Sequence, residues 1–148
     1  MTNLKTILRR VGFCALMIGL SMVHPKNLSA NTDAGALHAV MALVDRWQPL
    51  LDGAFGLLGT AGDAAKAVRA LETLCGYGQA IHAEAAAVRC AWPQLRRIYL
   101  LPSLAPFFAR IAPHVARYTA ALDLAEKRFA QSPSVLAAAQ RVRRLAGR

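Results

Sequence analysis

Seven apolar residues in the C-terminal half of this chain recur at alternating spacings of three and four positions. They are Phe108, Ile111, Val115, Tyr118, Leu122, Ala125 and Phe129. This spacing places all seven on one face of a helix, so it predicts an amphipathic helix with a coiled-coil-like seam. Because Pro113 interrupts the pattern, we expect the continuous helix to run from about Pro113 to Ala130.

The preceding part of the chain also follows a helical period. A first seam, interrupted by Pro49, predicts a helix that is kinked or broken near Gln48. Its apolar positions are Leu37, Val40, Val44, Trp47, Leu51, Ala54 and Leu58. The glycine-rich stretch 53–62 predicts a connector after this helix. Asp63 is then expected to begin a second helix that ends at Gly76.

The remaining patterns complete an all-α fold. The stretch 75–92 is rich in small apolar residues on two faces, which is typical of a helix in the middle of a domain. Ser132 and Pro133 are typical of a helix start, and no segment alternates apolar and polar residues with the period of a strand. The sequence therefore predicts one all-α domain over residues 31–148, a small bundle of four to five helices, several kinked or broken at prolines. Its last helix, at about 133–146, is basic.

Residues 1–30 have the composition of a cleavable signal peptide. Basic residues precede an apolar core at 11–23, and small residues at 28–30 offer a cleavage site. An apolar helix of this length spans only about 20 Å, too short for a bilayer core of about 30 Å. We therefore expect a periplasmic or secreted bacterial protein. The alternative is a protein anchored in the inner membrane through residues 11–23.

Export changes the interpretation of the cysteines. Because Cys14 lies within the predicted signal peptide, Cys75 and Cys90 remain, and in an oxidising compartment such a pair favours a disulfide. A tight turn at residues 76–78 would leave Cys90 roughly 18 Å from that turn, whereas bonded cysteines need Cα atoms within about 7 Å. We expect an intrachain bridge that requires an extended stretch at 76–78. The alternative is that Cys75 and Cys90 do not pair within one chain.

Positive charge is concentrated at the C-terminus. The whole chain has a net charge of +10, and no acidic residue follows Glu126. Arg141, Arg144 and Arg148 lie on one face of the predicted last helix, opposite its apolar positions. Such a face suits an anionic membrane surface or an acidic groove of a protein. The alternative is an ordinary solvated face with cations near a helix C-terminus. Export argues against a nucleic-acid partner.

A second candidate interaction site is apolar. Phe107 and Phe108 are close to prolines on both sides and belong to the apolar run 98–109. This run is apolar enough to be either a buried crossover or an exposed patch that binds a partner or a lipid surface. The sequence leaves both interpretations open.

His82, Glu84 and Cys90 form the pattern closest to a catalytic site. His-x-Glu matches half of the signature of zinc deaminases, but the Pro-Cys-x-x-Cys half is missing. One ligand and one acid without further ligands do not make a zinc site. There is no Cys-x-x-Cys-His haem motif, and nothing selects a haem-ligand pair such as Met41 and His114. The sequence predicts no catalytic residue, no metal and no cofactor, and hence no enzyme.

Interaction with another molecule is the function that these observations favour. The first hypothesis is an exported, non-catalytic helical adaptor or accessory subunit of a cell-envelope assembly, such as a secretion or conjugation system. The second is a peripheral membrane-binding protein that uses the basic C-terminal helix. The third is a small metal- or haem-binding periplasmic protein. A homo-oligomer is compatible with each of them.

Overall fold

The computed structural model describes residues 30–93, 95 and 105–147. This part contains four helices and no strand. The helices are α1 (Ala30–Gly59), α2 (Ala64–Ala91), α3 (Ala105–Arg128) and α4 (Pro133–Ala146). The all-α class is therefore confirmed, with four helices. The predicted signal helix lies outside the described residues.

α1 and α3 lie side by side and run in the same direction. Arg110 of α3 pairs with Asp45 of α1, and Arg117 pairs with Asp52, each with an N–O distance of 2.6 Å. The two pairs are seven residues apart on each helix and occur in the same order, so the helices are parallel. α2 is antiparallel to α1. Glu84 in the second half of α2 pairs with Arg46 of α1, whereas Arg69 near the start of α2 lies with Leu57 near the end of α1.

α4 completes a ring of helices in the order α1, α2, α4, α3. It runs parallel to α2, since Arg141 contacts Cys75 while Leu145 contacts His82 farther along α2. Helices that follow one another in sequence therefore alternate in direction, but α1 and α3, and α2 and α4, are parallel neighbours in the ring. α4 is the shortest helix and ends at the level of His82.

α1 continues as one helix across Pro49 and the glycines that follow it. The predicted break near Gln48 and the predicted connector from Gly53 are therefore wrong, and the kink at Pro49 stays a prediction. Proline inside a helix costs about 3 kcal/mol. Trp47 and Leu51 on either side of it are buried in the core, and burial of such side chains contributes about 1.5–3 kcal/mol each, enough to offset this cost.

α2 passes through Gly76 and Gly78, so the predicted helix end at Gly76 is wrong. A Cβ atom built on Gly78 would lie 3.3 Å from Cδ1 of Leu145. Gly78 therefore lets α4 approach α2 closely, and it does not stop the helix. The predicted start is confirmed: the Asp63 side chain accepts a hydrogen bond of 2.8 Å from the backbone N–H of Lys66.

The predicted seam of α3 is confirmed. Its central positions are buried and its two ends are half-buried: Phe108, Ile111, Val115, Tyr118, Leu122, Ala125 and Phe129. The helix begins at Ala105, before the expected Pro113, because Pro113 lies on the exposed side and removes no core contact. The start of α4 at Pro133 and its end before Gly147 are as predicted.

Two apolar clusters form the core. The main cluster lies where all four helices meet and includes Trp47, Leu58, Leu71, Ile81, Leu122 and Val135. The second cluster lies between the N-terminal halves of α1 and α3 and includes Ala36, Val40, Leu95, Phe107 and Ile111. None of the described helices combines the length and apolar composition needed to cross a bilayer.

Candidate interaction surface

Asp52 is the centre of a polar cluster between α1 and α3. It accepts a hydrogen bond of 2.5 Å from the Tyr118 hydroxyl and one of 2.6 Å from the Arg117 guanidinium. His114 and Gln48 complete this polar cluster, with 3.0 Å between the Gln48 amide and the His114 ring. The cluster is half-buried, so these contacts are only partly screened by water.

The His114 ring lies between Arg117, Asp52 and Gln48. Its Nδ1 is 2.8 Å from an Arg117 guanidinium nitrogen, which can only donate, and 3.4 Å from a carboxylate oxygen of Asp52, which can only accept. The Gln48 side chain has a buried amide oxygen without a hydrogen-bond partner and an amide nitrogen 3.0 Å from Nε2. A half-turn of this amide, which exchanges its oxygen and nitrogen, would offer an acceptor to a proton on Nε2.

The electrostatics of the polar cluster suit a contact that holds α1 to α3. Burial alone would raise the pKa of Asp52, but hydrogen bonds from Tyr118 and His114 and the charge of Arg117 outweigh it, so this pKa is lowered. Burial, followed by the hydrogen bond to Asp52 and its charge, raises the pKa of Tyr118. Asp52 therefore stays ionised and Tyr118 stays protonated, and neither is poised to exchange a proton near neutral pH.

His82, Glu84 and Cys90, the residues of the pattern that resembles half of a zinc-deaminase signature, do not face a common site. Glu84 accepts hydrogen bonds from Trp47 Nε1 at 3.1 Å and from Arg46 at 3.3 Å, which joins α2 to α1. His82 Nε2 lies 3.0 Å from the backbone oxygen of Leu145, so it donates to the C-terminal turn of α4. Cys90 is exposed. Within the described part of the chain, no three His, Cys, Asp or Glu residues are grouped to hold a metal ion.

The expected disulfide is not formed. Cys75 and Cys90 are both free and both belong to the continuous helix α2. Their separation along the helix axis is roughly 22 Å, far beyond the reach of a disulfide of about 7 Å. The expectation of an intrachain bridge is therefore wrong, because the glycines at 76 and 78 neither turn nor extend the chain. Burial raises the pKa of the half-buried Cys75 thiol despite the nearby Arg141.

The basic helix α4 is divided between structural and exposed arginines. Arg143 pairs with Asp123 at 2.5 Å and with Glu126 at 2.9 Å, which fastens α4 to α3. Arg141 and Arg144 are exposed, and Arg148 lies outside the described residues. The apolar side of α4 belongs to the main cluster: Val135, Ala138, Ala139, Val142 and Ala146. Only the charged side of this helix is free to meet a partner.

Phe107 and Phe108 belong to the core. Phe107 is 2% exposed in the second cluster, and its ring meets that of Phe108 edge to face at a centroid distance of 5.2 Å. Phe108 is half-buried and packs against the same cluster. Of the two interpretations that the sequence leaves open, Phe107 fits the buried one.

Sequence reasoning missed a groove on the outer surface between α1 and α2. This outer groove has a volume of about 250 Å³ and is lined by Leu57 of α1, by Thr60 and Ala61 of the turn that follows it, and by Lys66, Arg69, Ala70 and Thr73 of α2. Leu57 is 66% exposed, and Leu50, one heptad earlier on the same side of α1, is 43% exposed. Two leucines seven residues apart, Leu50 and Leu57, are a sequence signal for this surface. The predicted connector at residues 53–62 hides this signal, because it places Leu57 outside the helix that carries Leu50.

Comparison of this chain with protein-family models, with curated proteins and with solved structures finds no match. Function is therefore inferred from the geometry of the chain itself. The described polar clusters hold helices together, and the surface features that face outward are the outer groove and the exposed arginines of α4.

Proposed function

We propose that this chain is an exported, non-catalytic helical protein that binds another protein of the cell envelope, as an adaptor or accessory subunit. The observation that carries the proposal is the exposure of Leu57 in the outer groove and of Leu50 one heptad earlier on the same side of α1. Exposed apolar residues that lie together on a surface are typical of binding sites, whereas single exposed ones are ordinary. The ionisable residues with shifted pKa values that lie between helices contribute to the packing of the bundle.

Site-specific photo-crosslinking tests this function. A photoreactive amino acid at position 57 of the full chain, in the cells that produce it, should give one discrete crosslinked envelope protein. The same amino acid at position 124 of α3, where Leu124 is 56% exposed, and at position 144 of α4 shows whether the contact is made by the outer groove or by another face. Absence of a protein crosslink from positions 57, 124 and 144 alike would contradict the proposal.

Export is tested separately by N-terminal sequencing of the mature protein. We expect the mature chain to begin at Asn31 and to fractionate outside the cytoplasm. A chain that keeps residues 11–23 and fractionates with the inner membrane would favour the anchored alternative. A full-length cytosolic chain would contradict both.

Binding to anionic membranes is the second candidate function, favoured by the exposed Arg141 and Arg144. Because the apolar side of α4 is packed in the main cluster, such binding would be electrostatic only. Sedimentation with anionic vesicles should then show binding at low salt that is lost at about 0.15 M salt, where charges are screened beyond about 8 Å. Replacement of Arg141, Arg144 and Arg148 by alanine should abolish it.

The metal- or haem-binding alternative is not favoured by any contact in the described residues. Both ring nitrogens of His114 face partners in the polar cluster, and Met41 packs against the second cluster. A haem ligand needs a free donor atom directed into a cavity.

A further inference from the structure

We propose that the outer groove between α1 and α2 is a docking site for an acidic amphipathic helix of a partner protein. The inference rests on the proposed function and deepens it, because it names the binding face and the chemistry of the partner. Three features of the groove carry it: the spacing of its leucines, its positive rim, and hydroxyl groups that are already engaged.

The apolar contact surface of the outer groove has helical spacing. Leu50 and Leu57 are one heptad apart on α1, which corresponds to roughly 10 Å along the helix axis. Gly53 lies between them, and a Cβ atom built there would meet no atom within 4 Å. A partner helix can therefore approach the α1 backbone closely at Gly53 and place apolar residues at positions i and i+7 against the two leucines.

The rim of the groove that α2 provides is positive. Lys66 contacts only the capping residue Asp63, at 3.6 Å, and both side chains are more than half exposed. Arg69 has no ion pair within the described part of the chain. At the other end of the same face, Glu84 is already neutralised by Arg46. The groove lining therefore contains two cations and no acid, and Asp63 offsets only Lys66, so Arg69 leaves an excess of positive charge that favours an acidic partner.

A bare anion such as phosphate fits the groove poorly. The Thr60 hydroxyl donates to the backbone oxygen of Gly56 at 3.1 Å, and the Thr73 hydroxyl donates to that of Arg69 at 3.0 Å. The first-turn N–H of Lys66 is occupied by Asp63. A small anion would find only two flexible cationic side chains, whereas an acidic helix also buries the leucines.

A second copy of this chain is a poorer occupant than an acidic helix. A symmetric contact through this face would bring the positive rims of two copies together, since the same surface is used on both sides of a twofold axis. The groove lining contains no acid in either copy, and Asp63 and Glu84 already pair with Lys66 and Arg46. Like charges of this kind disfavour association.

Selection from a peptide display library tests the docking site. The library contains random peptides of about 15 residues, whose helical length of roughly 22 Å covers the groove. The full-length protein is the bait, and a Leu57→Ser variant is the counter-bait. We expect enrichment of peptides with apolar residues at helical spacing and a net negative charge. Their affinity should fall about tenfold in Leu57→Ser and again in Arg69→Glu, and it should weaken with salt.

Two exposed residues outside the groove provide matched controls. Leu124→Ser and Arg128→Glu remove a leucine and reverse an arginine on α3, and both should leave the affinity unchanged. Circular dichroism checks that each variant remains helical. Arg69→Glu keeps the test valid if Leu57→Ser fails to fold.

Several outcomes would overturn this docking site. They are the absence of enrichment over the counter-bait, enrichment of neutral or basic peptides, and equal weakening by the control variants. Concentration-dependent dimerisation that Leu57→Ser abolishes would make a second copy the occupant and would also overturn it. The proposed function is tested separately. Crosslinks from position 124 or 144 without peptide binding in the groove would refute this docking site and leave the proposed function standing.

Discussion

The Tyr118 hydroxyl donates a hydrogen bond of 2.5 Å to the Asp52 carboxylate and so joins α3 to α1. The same oxygen of Asp52 accepts from Arg117, and the Tyr118 ring stacks on Phe55 with a centroid distance of 4.3 Å. Polar and apolar contacts therefore meet at one point of the interface between the two parallel helices. Replacing Asp52 leaves two donors without their acceptor, which costs more than the average hydrogen bond.

Asp52→Asn should destabilise the protein by about 1–3 kcal/mol at pH 7. Because the pKa of Asp52 is lowered by folding, its contribution is fully present above the unfolded value of about 3.9 and is lost as the pH falls through the folded value. Urea denaturation from pH 7 down to about pH 2 should show a difference between wild type and variant that shrinks in acid. A difference that does not depend on pH would contradict this role, and Asp45→Asn, an exposed pair, is the control.

Tyr118→Phe should change the alkaline side of the stability profile. Folding raises the pKa of Tyr118, so its contribution is fully present below the unfolded value of about 10 and is lost as the pH rises above it. Wild-type stability should therefore fall more steeply than that of Tyr118→Phe above about pH 10. Absorbance titration of tyrosinate should lose its highest step in the variant. Identical alkaline slopes would show that Tyr118 does not titrate as a buried hydrogen-bonded group.

Gly35→Ala and Gly56→Ala should have opposite effects on stability. A Cβ atom on Gly35 would lie 2.4 Å from a ring carbon of Trp92, so the indole must leave its place in the second cluster. A Cβ atom on Gly56 meets nothing within 4 Å, and alanine in a helix interior is favoured over glycine by about 0.5–1 kcal/mol. Thermal unfolding should show a lower midpoint for the first variant and a higher one for the second. A lower midpoint for Gly56→Ala would mean that α1 is not a regular helix there.

The glycines also explain where sequence reasoning failed. Helical spacing correctly predicted the seam of α3, the cap at Asp63 and the limits of α4, because these depend on local pattern and capping. Local propensity predicts breaks at Gly53, Gly76 and Gly78, but α1 and α2 run through these positions. Gly78 packs against Leu145, which is distant in sequence, whereas Gly53 and Gly76 face open space and their neighbours Ala54 and Leu74 are buried; such packing overrides local propensity.

The candidate site was less predictable than the fold. The basic face of α4 stays a prediction as a binding site, although Arg141 and Arg144 are exposed. The outer groove is created by the approach of α1 and α2 after a turn, and this approach places Leu57 beside Arg69. No sequence period predicts which side of an amphipathic helix stays uncovered when neighbours pack around it. The apolar surroundings of Phe107 in the sequence make it a candidate for an interaction site, but the same apolar character places it in the core.

Adjacent arginines on α4 should differ in their effect on stability. Arg143 donates to both Asp123 and Glu126, whereas Arg144 is exposed and has no ion pair within the described residues. Arg143→Ala should lower the free energy of unfolding by about 1–2 kcal/mol, and Arg144→Ala should change it by less than about 0.5 kcal/mol. Urea denaturation at low and high salt measures both. Equal effects would mean that the Arg143 network adds nothing beyond an ordinary surface pair.

The two thiols should be free in the folded protein and should react at different rates. Cys90 is exposed, whereas Cys75 is half-buried with a raised pKa, and the thiolate is the reactive form. Mass spectrometry after timed alkylation of the protein recovered from its own compartment should show modification at Cys90 first and at Cys75 later. Cys90→Ser should remove the fast phase and Cys75→Ser the slow one. A Cys75–Cys90 bridge within one chain would be detected as a mass lower by two hydrogens and a cross-linked peptide. It would require α2 to be broken between the two cysteines and would refute the continuous helix.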